Sequence, residues 1–281
     1  MDRQFLRFPG FKQKAVTLSY DDGVRQDKRL ISIMVKNGLK GTFNLNAGLF
    51  NSVRDFEDKG RMTVEEALDL YYPNGMEVAA HGYKHLSLAK VDTAIAINDI
   101  IKDRIELEKL FGGIIKGMAY ANGSYNDEVV DLLDKCGINY CRTVVSTGKF
   151  DLPTNWLKLP ATCHHNHADL MKFAEDFVNI GKGRHFWYDP PHLFYLWGHS
   201  YEFDTNNNWD VIEKFAEYIG GREDIWYATN GEIFEYVTAF DRLEYSAGET
   251  FVRNPSALDV YISYKDRKYV VPAGKTINIE K

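Results

Sequence analysis

From Ala15 to about Phe240, short runs rich in β-branched and aromatic residues alternate with stretches whose apolar residues recur every three or four positions. That alternation predicts parallel strands, each followed by a helix. "AVTLSY" reads as a first strand and "RQDKRLISIMVKNG" as a helix stopped at Gly38. "GTFNLN" is a second strand, and "TVEEALDLYY" opens with a capping box, Thr63 and Glu66. "MEVAAH" is a third strand, followed by the long amphipathic helix "DTAIAINDIIKDRIELEKLFGG". "IKGMAYANG" and "INYCRTV" flank the helix "NDEVVDLLDKCG". Then come the helix "ADLMKFAEDFVNIG", the apolar strand "HLFYLWGHS", the helix "NWDVIEKFAEYIGG", the strand "IWYAT" and the helix "GEIFEYVTAF". Seven or eight strand–helix units suffice to close a barrel.

The pattern changes near Leu243. "ETFVRNP", "ALDVYISYKDRKYVV" and "GKTINIEK" alternate apolar and polar residues at strand period, with "YKDRK" as a hairpin turn. The expected organisation is an α/β catalytic domain over residues 1–242 and a small antiparallel β appendage over 243–281. The appendage is too short to bury a core alone, so it is expected to pack on the barrel as structural cover.

The net charge of −6 and the lack of dense Lys/Arg runs argue against a nucleic-acid surface. No stretch has the length and apolarity of a membrane span. The start "MDRQFLRFPGFKQK" has no apolar leader core, so the sequence taken at face value predicts a cytoplasmic protein. Cys136, Cys141 and Cys163 are odd in number and lack CxxC spacing, which predicts buried free thiols. Aromatic residues make up 14% of the chain, a supply that suits a cleft stacking on sugar rings.

Candidate chemistry gathers at predicted strand ends. "LSYDDG" sets Asp21 and Asp22 side by side where the first strand stops. Alone, Asp-Asp-Gly reads as a turn. In a parallel barrel, however, catalytic groups stand at the carboxyl ends of strands. "AAHGYKH" places His81 at the end of the third strand and His85 four residues on, a spacing at which two imidazoles and one carboxylate can share an ion. "HLFYLWGHS" ends a late strand at His199, which barrel closure brings near the first strand. His164, His165 and His167 of "TCHHNH" read as a loop on the surface or cleft wall with no acidic partner nearby, a metal-ligand role being the lesser alternative. His185 and His192 read as structural.

"SYDDG", "HGYKH" and "LWGH" together resemble, in order and in placement, three motifs of the polysaccharide deacetylases, the NodB-homology carbohydrate esterases of family 4. The resemblance covers roughly Lys14 to Phe240. It implies a distorted or incomplete (β/α) barrel of about seven strands. It also implies a metal-dependent hydrolase removing N-acetyl or O-acetyl groups from an acetylated mono-, oligo- or polysaccharide. Asp21 then resembles the general base, Asp22, His81 and His85 the ligands of a divalent metal, and His199 the general acid. The metal is zinc by ligand type, although the family tolerates other first-row ions. Two adjacent carboxylates are reasonable on this view, because one is held as a ligand while the other takes the proton of the attacking water.

The sequence departs from the family at the third motif, where "AYANG" puts Ala119 in place of the usual Arg and Asn122 in place of Tyr. The backbone N–H of Asn122 can still serve an oxyanion. Arg142 is the candidate replacement for the Arg, with a structural ion pair as its other reading. Trp197, Tyr201 and, from "DLPTNW", Trp156 are the expected aromatic walls of the cleft. Two other readings are an amide or imide hydrolase acting on a small non-sugar ligand and a degenerate carbohydrate-binding protein. Retention of the three ligand residues argues against the first, and of Asp21 and His199 against the second.

Overall fold

A computed structural model describes residues 3–50, 60–183, 186 and 188–280. His185 therefore lies outside the described residues. After a short strand, β1 (Leu6–Arg7), the chain enters β2 (Lys14–Asp21), α1 (Asp27–Lys36), β3 (Gly41–Leu45), α2 (Val64–Leu70) and β4 (Glu77–Ala80). Next come α3 (Thr93–Phe111), β5 (Gly117–Ala119), α4 (Asp127–Lys135), β6 (Tyr140–Ser146), β7 (Leu159–Ala161), β8 (Cys163–His164) and α5 (Leu170–Asn179). The barrel part ends with β9 (His192–Gly198), α6 (Tyr201–Thr205), α7 (Trp209–Ile219), β10 (Ile225–Tyr227) and α8 (Asn230–Asp241). The capping box at Thr63 and Glu66 forms as the sequence requires.

All pairings among β2 to β10 are parallel, in the spatial order β7-β6-β5-β4-β3-β2-β9-β8. β7 and β8 read as one bent strand broken at Thr162: β7 pairs with β6, and β8 pairs with β9. The bend closes the sheet into a barrel. β10 shares one edge of β2 with β3, pairing at Lys14–Val16 while β3 pairs at Leu18–Asp21. β7 and β8 escape the pattern of apolar runs because each is too short to show a period.

Period-two alternation divides β2 between two cores. Val16, Leu18 and Tyr20 pack outward with Leu30, Met34 and Phe43 under the helices. Ala15 packs inward with Tyr195, Trp197 and Tyr140. Thr17, Ser19 and Asp21 share that inward face by the same alternation.

The amino end of the barrel is plugged by the start of α8. Asn230 N–H donates to Thr42 Oγ1 and Gly231 N–H to Glu77 Oε2, both at 2.9 Å. The Asn230 side chain donates to Tyr195 Oη at 2.7 Å and accepts from Thr17 at 3.0 Å. The candidate residues Asp21, His81 and His199 stand at the opposite, carboxyl ends of β2, β4 and β9.

The remaining strands are β11 (Glu244–Tyr245), β12 (Phe251–Arg253), β13 (Val260–Tyr264), β14 (Arg267–Val271) and β15 (Thr276–Asn278), forming two small antiparallel sheets. The "YKDRK" turn forms with Lys265 and Asp266 at φ of 49° and 60°, the positive values a two-residue hairpin of matching twist needs. β1 pairs antiparallel with β13, so the first residues of the chain contribute a strand to the appendage's sheet. Tyr236 of α8 donates to the Arg7 carbonyl and accepts from Tyr261 N–H, which docks this sheet on the plugged end. Among the described residues, no helix is long and apolar enough to cross a membrane.

Candidate active site

β2 ends with Asp21 still in the ladder, while Asp22 turns to φ 85° and its N–H donates to the Asn44 carbonyl. Asp tolerates this left-handed turn better than most residues. The turn gives the two adjacent carboxylates different surroundings. Asp21 is 2% exposed. Its Oδ1 accepts from the Asn44 side chain at 2.8 Å, and its Oδ2 accepts from Arg142 Nη2. Arg142 itself is buried, its guanidinium 4.3 Å over the Trp197 ring. His81 Nε2 and His199 Nε2 each lie 3.8 Å from Asp21 Oδ2. Burial alone would raise the Asp21 carboxyl, but the Arg142 guanidinium, with His81 and His199 behind it, holds it well below the usual carboxylate range. Asp21 is therefore an anion with imidazoles on two sides.

Asp22, His81 and His85 come together as a second layer of the same site, each offering a ligand atom within 4.8 Å of the others. His85 Nε2 is 3.7 Å from Asp22 Oδ1. His81 Nδ1 is 2.8 Å from the Ala119 carbonyl, which can only accept, so Nδ1 carries the proton and Nε2 presents its lone pair to the site. Burial lowers the pKa of both imidazoles, that of His85 to about 4, so both are neutral donors at neutral pH. Two neutral imidazoles and one carboxylate fit a divalent transition metal.

The "HGYKH" loop is shaped from beneath by α3. Asp103 accepts from the backbone N–H groups of Ala47 and His81 at 2.7 and 2.9 Å, and Asp99 from that of Lys84 at 2.9 Å. Gly82 sits at φ 81°, where a Cβ would stand 2.6 Å from Asp99 Oδ2. The loop therefore requires glycine. Asp99 and Asp103 lie one turn apart on the buried stripe of a helix, where the apolar period predicts only hydrophobic residues.

A second His-and-carboxylate group lies alongside. Glu202, on α6 one turn after His199, brings Oε2 to 3.1 Å from His164 Nε2 and 3.0 Å from His165 Nε2. Its Oε1 is 3.3 Å from His199 Nδ1. The expectation that "TCHHNH" lacks an acidic partner is therefore wrong, because the short α6 folds Glu202 back over it. His165 is fully buried rather than on a surface. Its ligand atoms also lie within 4.8 Å of one another, but the hydrogen bonding of His164 sets it apart from the first group. His164 Nδ1 accepts from the Asn166 N–H at 3.1 Å, so its proton sits on Nε2, facing Glu202. His199 has the opposite arrangement. Its Nδ1 is held by Glu202 and its Nε2 faces Asp21. Burial pulls its pKa down, but Glu202 and Asp21 outweigh it and the net shift is upward. Gly198 packs directly on this cluster, and a Cβ there would stand 2.0 Å from His165 Nδ1. Gly198→Ala is expected to lower unfolding stability by about 1 to 3 kcal/mol through overpacking. Urea denaturation checks this, and an unchanged midpoint would refute it.

Tyr201 packs 5.3 Å from His199, ring to ring, and Trp197 6.0 Å. Trp156 does not join them. It packs edge-on against Phe234 of α8, at 5.2 Å, toward the plugged end of the barrel. The reason is topological: Trp156 immediately precedes β7, and a parallel strand starts at the amino end. Asn122 follows β5 in a left-handed conformation, φ 56°. Its side chain donates to Ser87 Oγ at 3.1 Å, which sets its backbone beside the His85 loop. Arg61, which no sequence signal singled out, is 5% exposed and binds Asp22 Oδ1 at 2.8 Å. All three cysteines are buried and free.

The family model for polysaccharide deacetylase matches residues 9–141. A chitin deacetylase of Arthroderma benhamiae is 31% identical over 104 residues, which are 36% of this chain and 24% of that protein. The chain thus spans about a quarter of the length of this curated relative. A polysaccharide deacetylase-like protein of Mycobacterium smegmatis superposes with a TM-score of 0.60 at 18% identity, covering 84% of this chain and 94% of the other. A family 4 carbohydrate esterase of Streptomyces lividans superposes with a TM-score of 0.50 at 17% identity, covering 77% and 93%. At such identities the two structures show the fold, a deacetylase-type (β/α) barrel. The matched span contains Asp21, Asp22, His81, His85 and Asn122 but stops one residue short of Arg142 and well before His199. Over residues 9–141 the chain is similar to the polysaccharide deacetylases, the family its motifs resemble.

Proposed function

We propose that this protein is a metal-dependent deacetylase of acetylated carbohydrates. The observation that carries the reading is the buried Asp21 carboxylate, fixed by Arg142 and 3.8 Å from His199 Nε2, beside the Asp22–His81–His85 donor set. Asp22, His81 and His85 would hold a divalent ion, zinc by donor type, which would supply Lewis-acid polarisation of the acyl carbonyl and raise the acidity of the attacking water.

The remaining work falls to the chain's own groups. Asp21, kept ionised by Arg142, takes the proton of the attacking water. Arg142 and Asn44 hold one carboxylate oxygen each, so the base does not swing toward the ligand set. The backbone N–H of Asn122 is the proposed donor to the developing oxyanion. His199, with Nδ1 held by Glu202, keeps its transferable proton on Nε2 and delivers it to the departing amine or alcohol. Tyr201, tilted against His199, and Trp197, edge-on to it, are the proposed contacts for the sugar ring.

The test is metal content together with acetate release from a panel of acetylated saccharides, with and without chelator. Acetate release that survives complete metal removal would refute the reading. His81→Ala and His85→Ala are expected to abolish turnover mainly by losing the metal, with partial rescue of one of them by excess metal. Full activity of either variant after chelation would show that the ligand set is wrong.

A further inference from the structure

The sole carboxylate of the proposed ligand set already holds a cation. Arg61 Nη2 is 2.8 Å from Asp22 Oδ1, and its Nη1 donates to the Asp22 carbonyl and, at 2.8 Å, to Asn46 Oδ1. Asn46 in turn donates to the carbonyls of His81 and Gly82, at 2.8 and 2.6 Å. The guanidinium thus ties Asp22 to the loop carrying both imidazoles. It is set there by backbone: Arg61 bridges Val24, Arg25 N–H donates to the Gly60 carbonyl, and Met62 N–H to that of Gly23. With Arg142 on Asp21 and Arg61 on Asp22, the two aspartates are neutralised by two buried guanidinium groups.

Resting on the metal-dependent reading above, we infer that Arg61 is a resident counter-cation that holds Asp22 in the metal-free protein and weakens its grip on an incoming dication. A buried carboxylate without a partner is costly, so Arg61 stabilises the metal-free fold. The same charge repels a dication on the same carboxylate. Even with strong dielectric screening, that repulsion amounts to about tenfold or more in affinity. Arg61 is a positioning residue here and does not itself touch the reacting atoms.

The experiment uses the full chain stripped of metal. Zinc affinity is measured by competition with a chromophoric chelator, and thermal melting is recorded with and without zinc, for wild type, Arg61→Met and Arg61→Lys. Arg61→Met is expected to bind zinc at least about tenfold more tightly, to melt lower without metal, and to show a larger zinc-induced rise. Arg61→Lys keeps the charge and is expected to bind within about threefold of wild type. Zinc binding to Arg61→Met that equals or falls below wild type overturns the inference, as does a zinc-induced rise unchanged from wild type. An Arg61→Met chain that folds only with zinc supports it, and one that stays unfolded with zinc counts against it. Failure of the underlying reading is separate: neither wild type nor Arg61→Met would then bind zinc at a site removed by His81→Ala.

Discussion

Asp21→Asn is expected to lower kcat by about two to four decades, the range for loss of a general base, while metal content stays near that of wild type. The separation follows from the geometry. Asp21 is fixed by Asn44 and Arg142, whereas Asp22 is fixed by Arg61 and faces His85, so the substitution leaves the ligand set's own contacts in place. An amide at this position cannot take a proton from water at neutral pH. It also leaves Arg142 buried without its counter-charge, and breaking a buried ion pair costs about 3 to 5 kcal/mol. The kinetics must therefore be read well below the variant's melting temperature. Metal content by elemental analysis, melting temperature and kcat on one acetylated saccharide make the full measurement. A folded variant that has lost its metal would mean that the roles of Asp21 and Asp22 are exchanged.

The barrel was legible because each inward and outward alternation of its strands, and each apolar helix face, is written locally. The candidate aspartates and histidines were legible because strand-end placement makes polar residues conspicuous after apolar runs. What escaped had no local signature. Glu202 sits one helical turn after His199, a spacing that is informative only once that turn is known to be helical. Asp99 and Asp103 are polar residues on a stripe where burial is predicted, and only the loop they hold explains them. Arg61 reaches Asp22 through backbone pairing between residues 60–62 and 23–25, which no periodicity encodes. Trp156 was misplaced for a related reason. Its composition suits a cleft wall, but its position just before a parallel strand assigns it to the other end of the barrel.

His199→Ala is expected to cripple deacetylation of an N-acetyl sugar while sparing much of the turnover of an aryl acetate. An amine cannot leave as an anion, so amide cleavage needs a proton at the moment the bond breaks. An activated ester with a stable leaving group needs little such help. The structure gives the acid its sign of pH dependence. Burial disfavours the imidazolium, but Glu202 on Nδ1 and the Asp21 anion facing Nε2 outweigh it, so His199 is protonated to higher pH than an ordinary histidine. A required acid is competent below its pKa, so the N-acetyl rate is expected to fall as pH rises, along a limb lying above the ordinary imidazole value of about 6.5. Asp21 titrates below the usual carboxylate range and remains ionised throughout that window. The same raised pKa makes the interaction stabilising to the fold below the unfolded histidine's pKa, and that contribution is lost as pH rises through the folded value. The measurement is kcat/KM for both substrates across pH in wild type and variant. In the variant the alkaline limb should vanish from what remains of the N-acetyl rate, and the aryl acetate profile should change little. Equal losses on the two substrates, or an alkaline limb that survives His199→Ala, would remove His199 from the role of acid.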